Sequence, residues 1–244
     1  MEIKLNIYDY MIIVLSALTL LGAQQFGFSE TLPQVAVSVI VAVTLDFIIK
    51  YWKTKGKVIS KSSIITGLFV ATILDLGQPL WVPALISAIA ILSKHVIRYK
   101  NRHIFNPANF GLLFALLLGV SHSWWSSVNL YATIILGLLI VWQFQRFKLV
   151  ISYLATHFLF LAIAMLATNN IIAFYSHFTN GLLYFFTFLM LIEPKTSPFR
   201  ENDRVYYGAL TGILSVLFIF IYPAASHNIA LALGNIYAFY RNRK

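Results

Sequence analysis

The chain has 244 residues, of which 59% are apolar and only 11% are charged. A typical soluble domain has roughly 25% charged residues, and a water-soluble core of this size does not bury so much apolar surface, so lipid is the expected solvent. There are no cysteines, which excludes disulfides and cysteine-ligated iron–sulfur or zinc sites in this chain. The formal charge of +10 would suit nucleic acid, but the positions of the basic residues exclude that partner.

The apolar runs predict an all-α polytopic membrane protein with about ten transmembrane helices. About 20 apolar residues at 1.5 Å each are needed to cross a hydrocarbon core of about 30 Å. The ten predicted segments are residues 8–26, 33–51, 62–76, 80–99, 105–120, 128–145, 148–168, 178–193, 205–223 and 226–241. The third segment is short, and a re-entrant loop there would reverse the side of every later loop.

The basic residues set the predicted orientation. With the N-terminus inside, the inner side holds both termini and the loops 50–61, 94–104, 145–148 and 194–204, which together contain all 18 Lys and Arg residues. Cytoplasmic loops of membrane proteins are enriched in these residues. We therefore predict a multi-pass protein of the cell (inner) membrane, surrounded by the lipid bilayer, with both termini in the cytoplasm. The same pattern favours a full crossing by 62–76 through a short or broken helix.

Ten crossings divide into five plus five, and an odd-numbered unit that is repeated once must be inverted. Within a single transmembrane domain, 1–244, we expect one repeat at about 8–120 and a second at about 128–241. Residues 66–68 (TGL) and 180–182 (NGL) each open a short apolar run that ends at an acid and a proline. Short, Gly-interrupted segments at matching positions point to a binding site in inverted-repeat proteins. Coincidence is the alternative, because Gly is common in membrane helices.

Three polar clusters lie near the predicted cytoplasmic face, at residues 62–67, 104–109 and 193–198. Ser62 or Ser63 is expected to cap one helix, and Asn106 followed by Pro107 is expected to begin another. Helix starts direct free N–H groups and a positive dipole end at one region, which suits a phosphate, a flavin ring or a quinone. Simple capping of helices at the membrane surface is the alternative.

Other polar and aromatic residues have plainer interpretations. Asp46 lies one turn before Lys50, which predicts a salt bridge along one helix. His157 is near mid-membrane, where a hydrogen bond between helices is the expected role of a lone His. No His and carboxylate have metal-ligand spacing, so no metal is expected in this chain. The five Trp residues lie near span ends and predict an interfacial belt, with stacking on a ring ligand as the alternative.

Several segments, in order, resemble one family. Residues 63–75 (SIITGLFVATILD) are similar to the ITGLLLAL segment shared by the D subunit of Rnf electron-transport complexes and the B subunit of the sodium-translocating NADH:quinone reductase. Residues 105–108 (FNPA) match that family's FNPA motif. Residues 193–198 (EPKTSP) and 207–212 (YGALTG) resemble its DPVTSP and YGALIG sequences, and the final helix, with Asn235, resembles its closing segment. The resemblance covers roughly residues 62–240.

The resemblance implies a ten-helix subunit of a respiratory-type electron-transfer complex that passes electrons through flavins. Other membrane subunits and iron–sulfur or flavin subunits would be its partners. Members typically hold FMN through a phosphoester to a threonine on the outer side, and some carry riboflavin near a quinone site. Here the outer loop 119–129 (GVSHSWWSSVN) has no threonine and no flavinylation motif, so covalent FMN is not expected. Glu193 stands where the family usually has Asp.

We therefore expect a flavin (riboflavin or FMN) or a quinone to be bound non-covalently near the cytoplasmic face, with or without coupling to ion translocation. The predicted binding residues are Thr66, Asn106, Pro107, Asn109, Glu193, Lys195, Thr196 and Ser197. Glu193 is expected to hold Lys195 or a loop N–H, and no residue is assigned a catalytic role. Two alternatives remain: a small-solute channel or transporter of related inverted-repeat architecture, and an assembly subunit that binds no cofactor.

Overall fold

The computed structural model describes residues 5–55, 59–100, 102–168 and 171–243 and shows an all-α membrane protein. The chain divides into two compact units: unit 1 comprises Met1–His103 and Pro107–Asn129, and unit 2 comprises Ile104–Asn106 and Leu130–Lys244. The change of unit after residue 129 lies close to the predicted boundary between the repeats, at 120–128. The inverted relation between the repeats stays a prediction.

The described part of unit 1 contains five helices and a small hairpin. The helices are α1 (Ile7–Phe26), α2 (Phe28–Thr54), α3 (Lys61–Ile73), α4 (Trp81–Val96) and α5 (Pro107–Leu117). The two-residue strands β1 (Arg98–Tyr99) and β2 (Arg102–His103) pair antiparallel after α4. A 3₁₀ turn, Trp125–Ser127, follows α5.

The described part of unit 2 contains six further helices, one of which changes its winding. They are α6 (Leu130–Phe144), α7 (Phe147–Ala167), α8 (Ile171–Phe178), α9 (Gly181–Phe185), α10 (Glu201–Ile221) and α11 (Ser226–Arg243). α9 continues directly into a π-helical segment, Phe186–Met190. A 3₁₀ turn, Pro223–Ala225, joins α10 to α11.

Each of the ten predicted segments overlaps one main helix, and α8 touches them only at Phe178. Within the described residues, four helices are long and apolar enough to cross a membrane: Ile7–Phe26, Phe28–Lys53, Phe147–Ala167 and Glu201–Ile221. Five shorter helices are also apolar: Lys61–Ile73, Trp81–Val96, Pro107–Leu117, Leu130–Phe144 and Gly181–Met190. The third and eighth predicted segments are therefore short helices, as their Gly-interrupted sequences indicate.

Local chemistry explains several helix ends. The Asn6 side-chain oxygen accepts hydrogen bonds from the backbone N–H groups of Tyr8 and Asp9, and α1 begins there. Gly27 separates α1 from α2 with a φ of +95°, which glycine adopts without steric strain. As predicted, α5 begins at Pro107, because the fixed φ of proline suits the first helical position.

The predicted cap of α3 at Ser62 or Ser63 is wrong. α3 begins at Lys61, and Ser60 occupies the N-cap position without a capping hydrogen bond from its side chain. The Ser63 hydroxyl instead donates back to the Ser60 carbonyl oxygen, at 2.7 Å, and the Ser62 hydroxyl accepts a hydrogen bond from the Lys94 ammonium group, at 2.8 Å. Both hydroxyls therefore serve contacts other than capping.

The carboxyl end of α3 is buried, and side chains from elsewhere in unit 1 satisfy its carbonyl groups. The Gln34 side-chain amide, on α2, donates to the Ala71 and Leu74 carbonyl oxygens, at 2.8 and 3.3 Å. The Trp125 indole N–H also donates to the Ala71 oxygen, at 2.9 Å. Beyond the helix, the backbone of Leu74 forms an antiparallel bridge with that of His122. α3 thus ends inside the protein with the carbonyl groups of Ala71 and Leu74 paired by side chains from elsewhere in unit 1, as an apolar environment favours.

Glycines permit the closest helix contacts in each unit. In unit 1, a Cβ atom at Gly67 would lie 2.7 Å from the Val39 Cα, so α2 and α3 meet backbone to backbone. In unit 2, a Cβ atom at Gly208 would lie 2.5 Å from the Leu149 carbonyl oxygen, and one at Gly212 would lie 2.7 Å from that of Tyr153. The family-like sequence at 207–212 therefore packs α10 against α7 through two small residues four apart.

Three of the five Trp residues are exposed, as a belt requires, and their position at the membrane interface stays a prediction. Trp52, Trp81 and Trp142 are exposed on the described surface. Trp124 and Trp125 are buried, which contradicts a belt position for them. The indole ring of Trp125 packs where Gly22 leaves space, and its N–H is engaged at the end of α3.

We expect Gln34→Leu to destabilise the protein by about 1–3 kcal/mol, because the Ala71 carbonyl oxygen keeps only its bond from Trp125 and the Leu74 carbonyl oxygen loses its closer donor. The free energy of unfolding, measured by denaturant titration in detergent micelles, tests this. Gln25→Leu is the matched control, since Gln25 lies exposed near the end of α1 and should change stability little. Equal stability of the two variants would contradict the assigned role of Gln34.

Candidate functional site

A buried, non-helical stretch follows the π-helical segment in unit 2. Residues 191–198 link it to α10, and most of their side chains are withdrawn from the surface. Its first two residues, Leu191 and Ile192, are fully buried. The carbonyl oxygen of Glu193 accepts hydrogen bonds from the backbone N–H groups of Thr196 and Ser197, which folds the stretch into a tight turn. We call residues 191–198 the buried loop.

Helix α11 supports the buried loop through two asparagines. The Asn235 side-chain amide donates to the Thr196 carbonyl oxygen, at 3.2 Å, and its oxygen accepts from the Asn106 backbone N–H, at 2.9 Å. Further along α11, the Asn242 amide donates to the Ser197 carbonyl oxygen, at 3.2 Å. Asn235 is fully buried, so it fixes the buried loop and the 104–106 segment from a single point.

Two arginines support the other end of the buried loop. Arg146, just before α7, and Arg204, on α10, both donate to the Pro198 carbonyl oxygen, at 3.1 and 3.2 Å. Burial, together with the positive charge of Arg204, lowers the pKa of the Arg146 guanidinium to about 10. Arg146 therefore still carries its charge at neutral pH and places it beside the loop.

Four of the predicted binding residues lie on the buried loop. The Thr196 hydroxyl donates to the Glu193 carboxylate, at 3.2 Å, so Glu193 holds a hydroxyl of its own turn. Ser197 is fully buried, and its hydroxyl has no hydrogen-bond partner in the part of the chain that the structure describes. Lys195, which lies between Glu193 and Thr196 in the sequence, is half-buried. Asn106, the fifth predicted residue in unit 2, binds Asn235 as described above.

The other three predicted residues belong to unit 1. Thr66 is buried, and its hydroxyl donates to the Ser62 carbonyl oxygen one turn earlier on α3, at 2.9 Å. Pro107 begins α5, and Asn109 is fully buried in its first turn. The predicted set is thus divided between two units, and in unit 1 the Thr66 hydroxyl is already used within its own helix.

A buried charge cluster in unit 1 is larger than the sequence indicated. Asp46 forms the predicted salt bridge with Lys50, at 2.9 Å. It also binds Lys94 and His95 from α4, at 3.0 and 2.7 Å, and is fully buried. Lys94 was expected to be a loop residue, but its side chain is 8% exposed. The sequence did contain an indication of this cluster, because Lys94 and His95 lie at the end of an amphipathic helix that is otherwise mostly apolar.

His157 confirms the prediction of a hydrogen bond between helices. Its Nδ1 lies 2.8 Å from the hydroxyl oxygen of Ser215, on α10. Two further histidines lie close to it, which the sequence did not predict. The His227 and His177 ring centroids are 5.8 and 6.4 Å from that of His157.

We expect Asn235→Ala to destabilise unit 2 by about 2–4 kcal/mol, because the Thr196 carbonyl and the Asn106 N–H each lose this buried partner. Limited proteolysis near the buried loop should accelerate in parallel with the loss of unfolding free energy. Asn202→Ala, at an exposed position at the start of α10, is the control and should behave like the wild type. If the buried loop resists proteolysis equally in both variants, Asn235 does not support it as described.

Two comparisons place the chain among known proteins. The sequence profile of the NQR2, RnfD, RnfE family matches residues 5–119 and 114–238. The chain is also similar to the D subunit of the ion-translocating oxidoreductase complex of Methanosarcina acetivorans, with 23% identity over 237 residues, covering 87% of this chain and 80% of that protein. The resemblance in the motifs is thus confirmed over nearly the whole length. The chain belongs to the NQR2, RnfD, RnfE family, the membrane subunits of Rnf and NQR ion-translocating oxidoreductase complexes.

Proposed function

We propose that this protein is the membrane subunit of an electron-transfer complex and holds a non-covalent flavin or quinone at the buried loop of unit 2. Membership of the family supports the complex. The observation that carries the site is a pair of unsatisfied donors: the Ser197 hydroxyl and the Arg146 Nε are both buried, and no residue in the described ranges gives either a hydrogen-bond partner. Buried donors in proteins are normally paired, so a ligand acceptor is the natural complement.

The chemistry of these groups fits an oxygen-bearing redox ring. A flavin or quinone offers ring carbonyl oxygens, and FMN adds a phosphate. A guanidinium group and a hydroxyl are donors for carbonyl and phosphate oxygens. Asn106, Thr196 and Asn235 would hold the buried loop in shape, while Lys195 and Glu193 would set the charge at its edge. Once bound, the ring would supply the electron-accepting chemistry that the chain's own side chains lack.

Partner subunits follow from the same proposal. The chain has no cysteine and so has no thiolate ligands for an iron–sulfur cluster. An electron donor and an acceptor must then be held by other subunits, of iron–sulfur or flavin type, or be diffusible. Coupling of electron transfer to ion movement belongs to the same proposal, supported by the description of the Methanosarcina relative as ion-translocating.

We expect the purified protein, loaded with riboflavin or FMN, to retain fluorescent flavin that is released on denaturation. Ser197→Ala should weaken retention by about threefold to tenfold, because one hydrogen bond to the ligand is lost. The Ser197 hydroxyl has no hydrogen-bond partner among the described residues, so this variant should fold normally. Ser29→Ala, at an exposed position of α2, is the matched control. The same pair of variants tests a quinone by equilibrium binding, and retention of neither ring by the wild type would defeat the proposal.

We also propose that both termini and the basic loops lie in the cytoplasm, and this orientation gives a second testable prediction. Because the natural chain has no cysteine, one introduced cysteine is its only thiol. Arg98→Cys and Arg200→Cys, both at exposed positions, should react with a membrane-impermeant maleimide only after the cells are opened. Ser121→Cys, exposed in the predicted outer loop, should react in intact cells. Labelling of Arg98→Cys or Arg200→Cys from outside would overturn the orientation.

A further inference from the structure

An open groove of about 230 Å³ lies on unit 1, beside the second half of α2. Its lining includes Val43, Thr44 and Phe47 on α2 and Ile59, which comes just before α3. Three of these four side chains are purely apolar. The groove has room for several groups the size of a water molecule, which occupies roughly 30 Å³. We call it the α2 groove.

The α2 groove lies near one end of a membrane-spanning stretch. Phe28–Lys53 is long and apolar enough to cross a membrane, and its 26 residues extend over about 39 Å. The hydrocarbon core of a bilayer is only about 30 Å thick. The last turn of this stretch therefore reaches the headgroup layer. Phe47, less than two turns before its end, then lies at the depth of the first acyl-chain carbons.

A row of side chains extends along α2 from the groove to a lysine. Thr44, Phe47 and Tyr51 are three or four residues apart and share one face of the helix. The Phe47 and Tyr51 rings are stacked, with centroids 6.3 Å apart and an angle of 16° between their planes. The Lys55 ammonium group lies 5.5 Å from the centroid of the Tyr51 ring, within cation–π distance. The row thus changes from apolar to aromatic to cationic, in the order in which a phospholipid changes from acyl chain to headgroup.

The backbone at the end of α2 adopts a costly conformation at this lysine. Lys55 has a φ of +55°, in the left-handed region that glycine usually occupies at the end of a helix. Its N–H donates to the Tyr51 carbonyl oxygen, at 2.9 Å. The chain therefore turns back at Lys55 and is fixed to the residue whose ring the ammonium group contacts. Non-glycine residues in this conformation are concentrated at sites that bind ligands.

The end of α2 and the start of α3 carry an excess of positive charge. Residues 43–61 contain five Lys and one acid, Asp46. Asp9, on α1, offsets one of these charges by binding Lys61, at 2.7 Å. Five lysines against two carboxylates leave an excess of three positive charges. Basic residues beside a membrane span attract anionic lipids.

The Asp46 carboxylate is itself shared among several groups. It binds Lys50, at 2.9 Å, and also Lys94 and His95 from α4, at 3.0 and 2.7 Å. One carboxylate cannot neutralise both ammonium groups. Lys50 also keeps 34% of its side chain exposed, so its charge is accessible from the surface. An anionic headgroup would offset the excess, whereas a zwitterionic headgroup brings a positive charge of its own.

We propose that unit 1 binds one anionic phospholipid of the bilayer, with an acyl chain in the α2 groove and the phosphate between Lys50 and Lys55, beside Tyr51. A peptide suits the groove less, because its backbone groups would find no hydrogen-bond partners at the depth of the acyl chains. A lipid held here joins the end of α2 to Ile59, at the entry to α3. The site does not depend on the buried loop, nor on which side of the membrane this end of α2 faces.

The test uses native mass spectrometry of the full chain in detergent, with equal amounts of phosphatidylglycerol and phosphatidylcholine added. The wild type should retain phosphatidylglycerol in preference. Lys55→Gln should lower this preference about threefold to tenfold, since one basic contact to the phosphate is lost. Lys148→Gln, which removes an exposed lysine of unit 2, is the matched control and should bind like the wild type. Equal retention of the two lipids by the wild type, or equal preference in the two variants, would overturn the proposal.

A pair of tryptophan variants on α2 tests the groove without changing any charge. Val43→Trp places a large ring in the α2 groove and should abolish the preference for phosphatidylglycerol. Ile48→Trp makes a similar change at an exposed position of the same helix and should preserve it. If both variants retain the lipid equally, the groove does not hold an acyl chain and the proposal fails.

A competition experiment separates a lipid from a free anion. Inorganic phosphate, added at the same concentration as the lipid, should not displace phosphatidylglycerol from the wild type, because the acyl chain contributes to binding. Displacement by inorganic phosphate alone would identify an ion site and refute a lipid site. Ser197→Ala should leave lipid retention unchanged, which separates this site from the buried loop.

Discussion

The structure depends on satisfying backbone polar groups where helices end inside apolar surroundings. Lipid offers no hydrogen bonds, so non-helical backbone is tolerated only when the protein itself supplies the partners. Unit 1 supplies them through Gln34 and Trp125 at the end of α3. Unit 2 supplies them through Asn235, Asn242 and Arg146 around the buried loop. In both units, a short helix next to irregular chain is stable because a few amide, indole and guanidinium groups replace water.

The same constraint explains why ligand binding is expected where a helix ends inside the protein. Within a continuous helix the interior backbone groups bind one another, whereas a break inside the protein adds helix ends whose N–H and C=O groups need other partners. Ser197 on the buried loop and Arg146 beside it each keep a buried donor that no described residue satisfies. Backbone geometry thus concentrates binding capacity in the loop, while the continuous helices α7 and α10 provide close, glycine-mediated packing that holds it in place.

Sequence predicts the positions of the helices well because each rests on a local apolar run. The start of α5 at Pro107 and the short helix at α3 follow from a few neighbouring residues. What sequence misses is set by contacts between distant residues. Gln34 and Ala71 are 37 positions apart, and Trp125 and Ala71 are 54. An isolated polar residue in an apolar run gives no indication of which carbonyl it will meet, so these roles and the burial of Trp125 were not predictable.

The predicted site shows the same limit. Its role in binding a ligand stays a prediction, and in the structure Thr66 binds within its own helix and Thr196 within its own turn. The important partners, Arg146 and Asn235, come from helices that pattern alone does not bring to the loop. The neighbourhood of His157 is a similar case, because His177 and His227 approach it only through the fold.

The hydrogen bond from Asn106 to Asn235 joins residues 129 positions apart, and this has a consequence for how the chain is made. During translation, the amide at the entry to α5 must wait for almost the whole second half of the protein before its acceptor leaves the ribosome. A nascent chain halted before residue 235 therefore has an incomplete helix entry inside a finished first half.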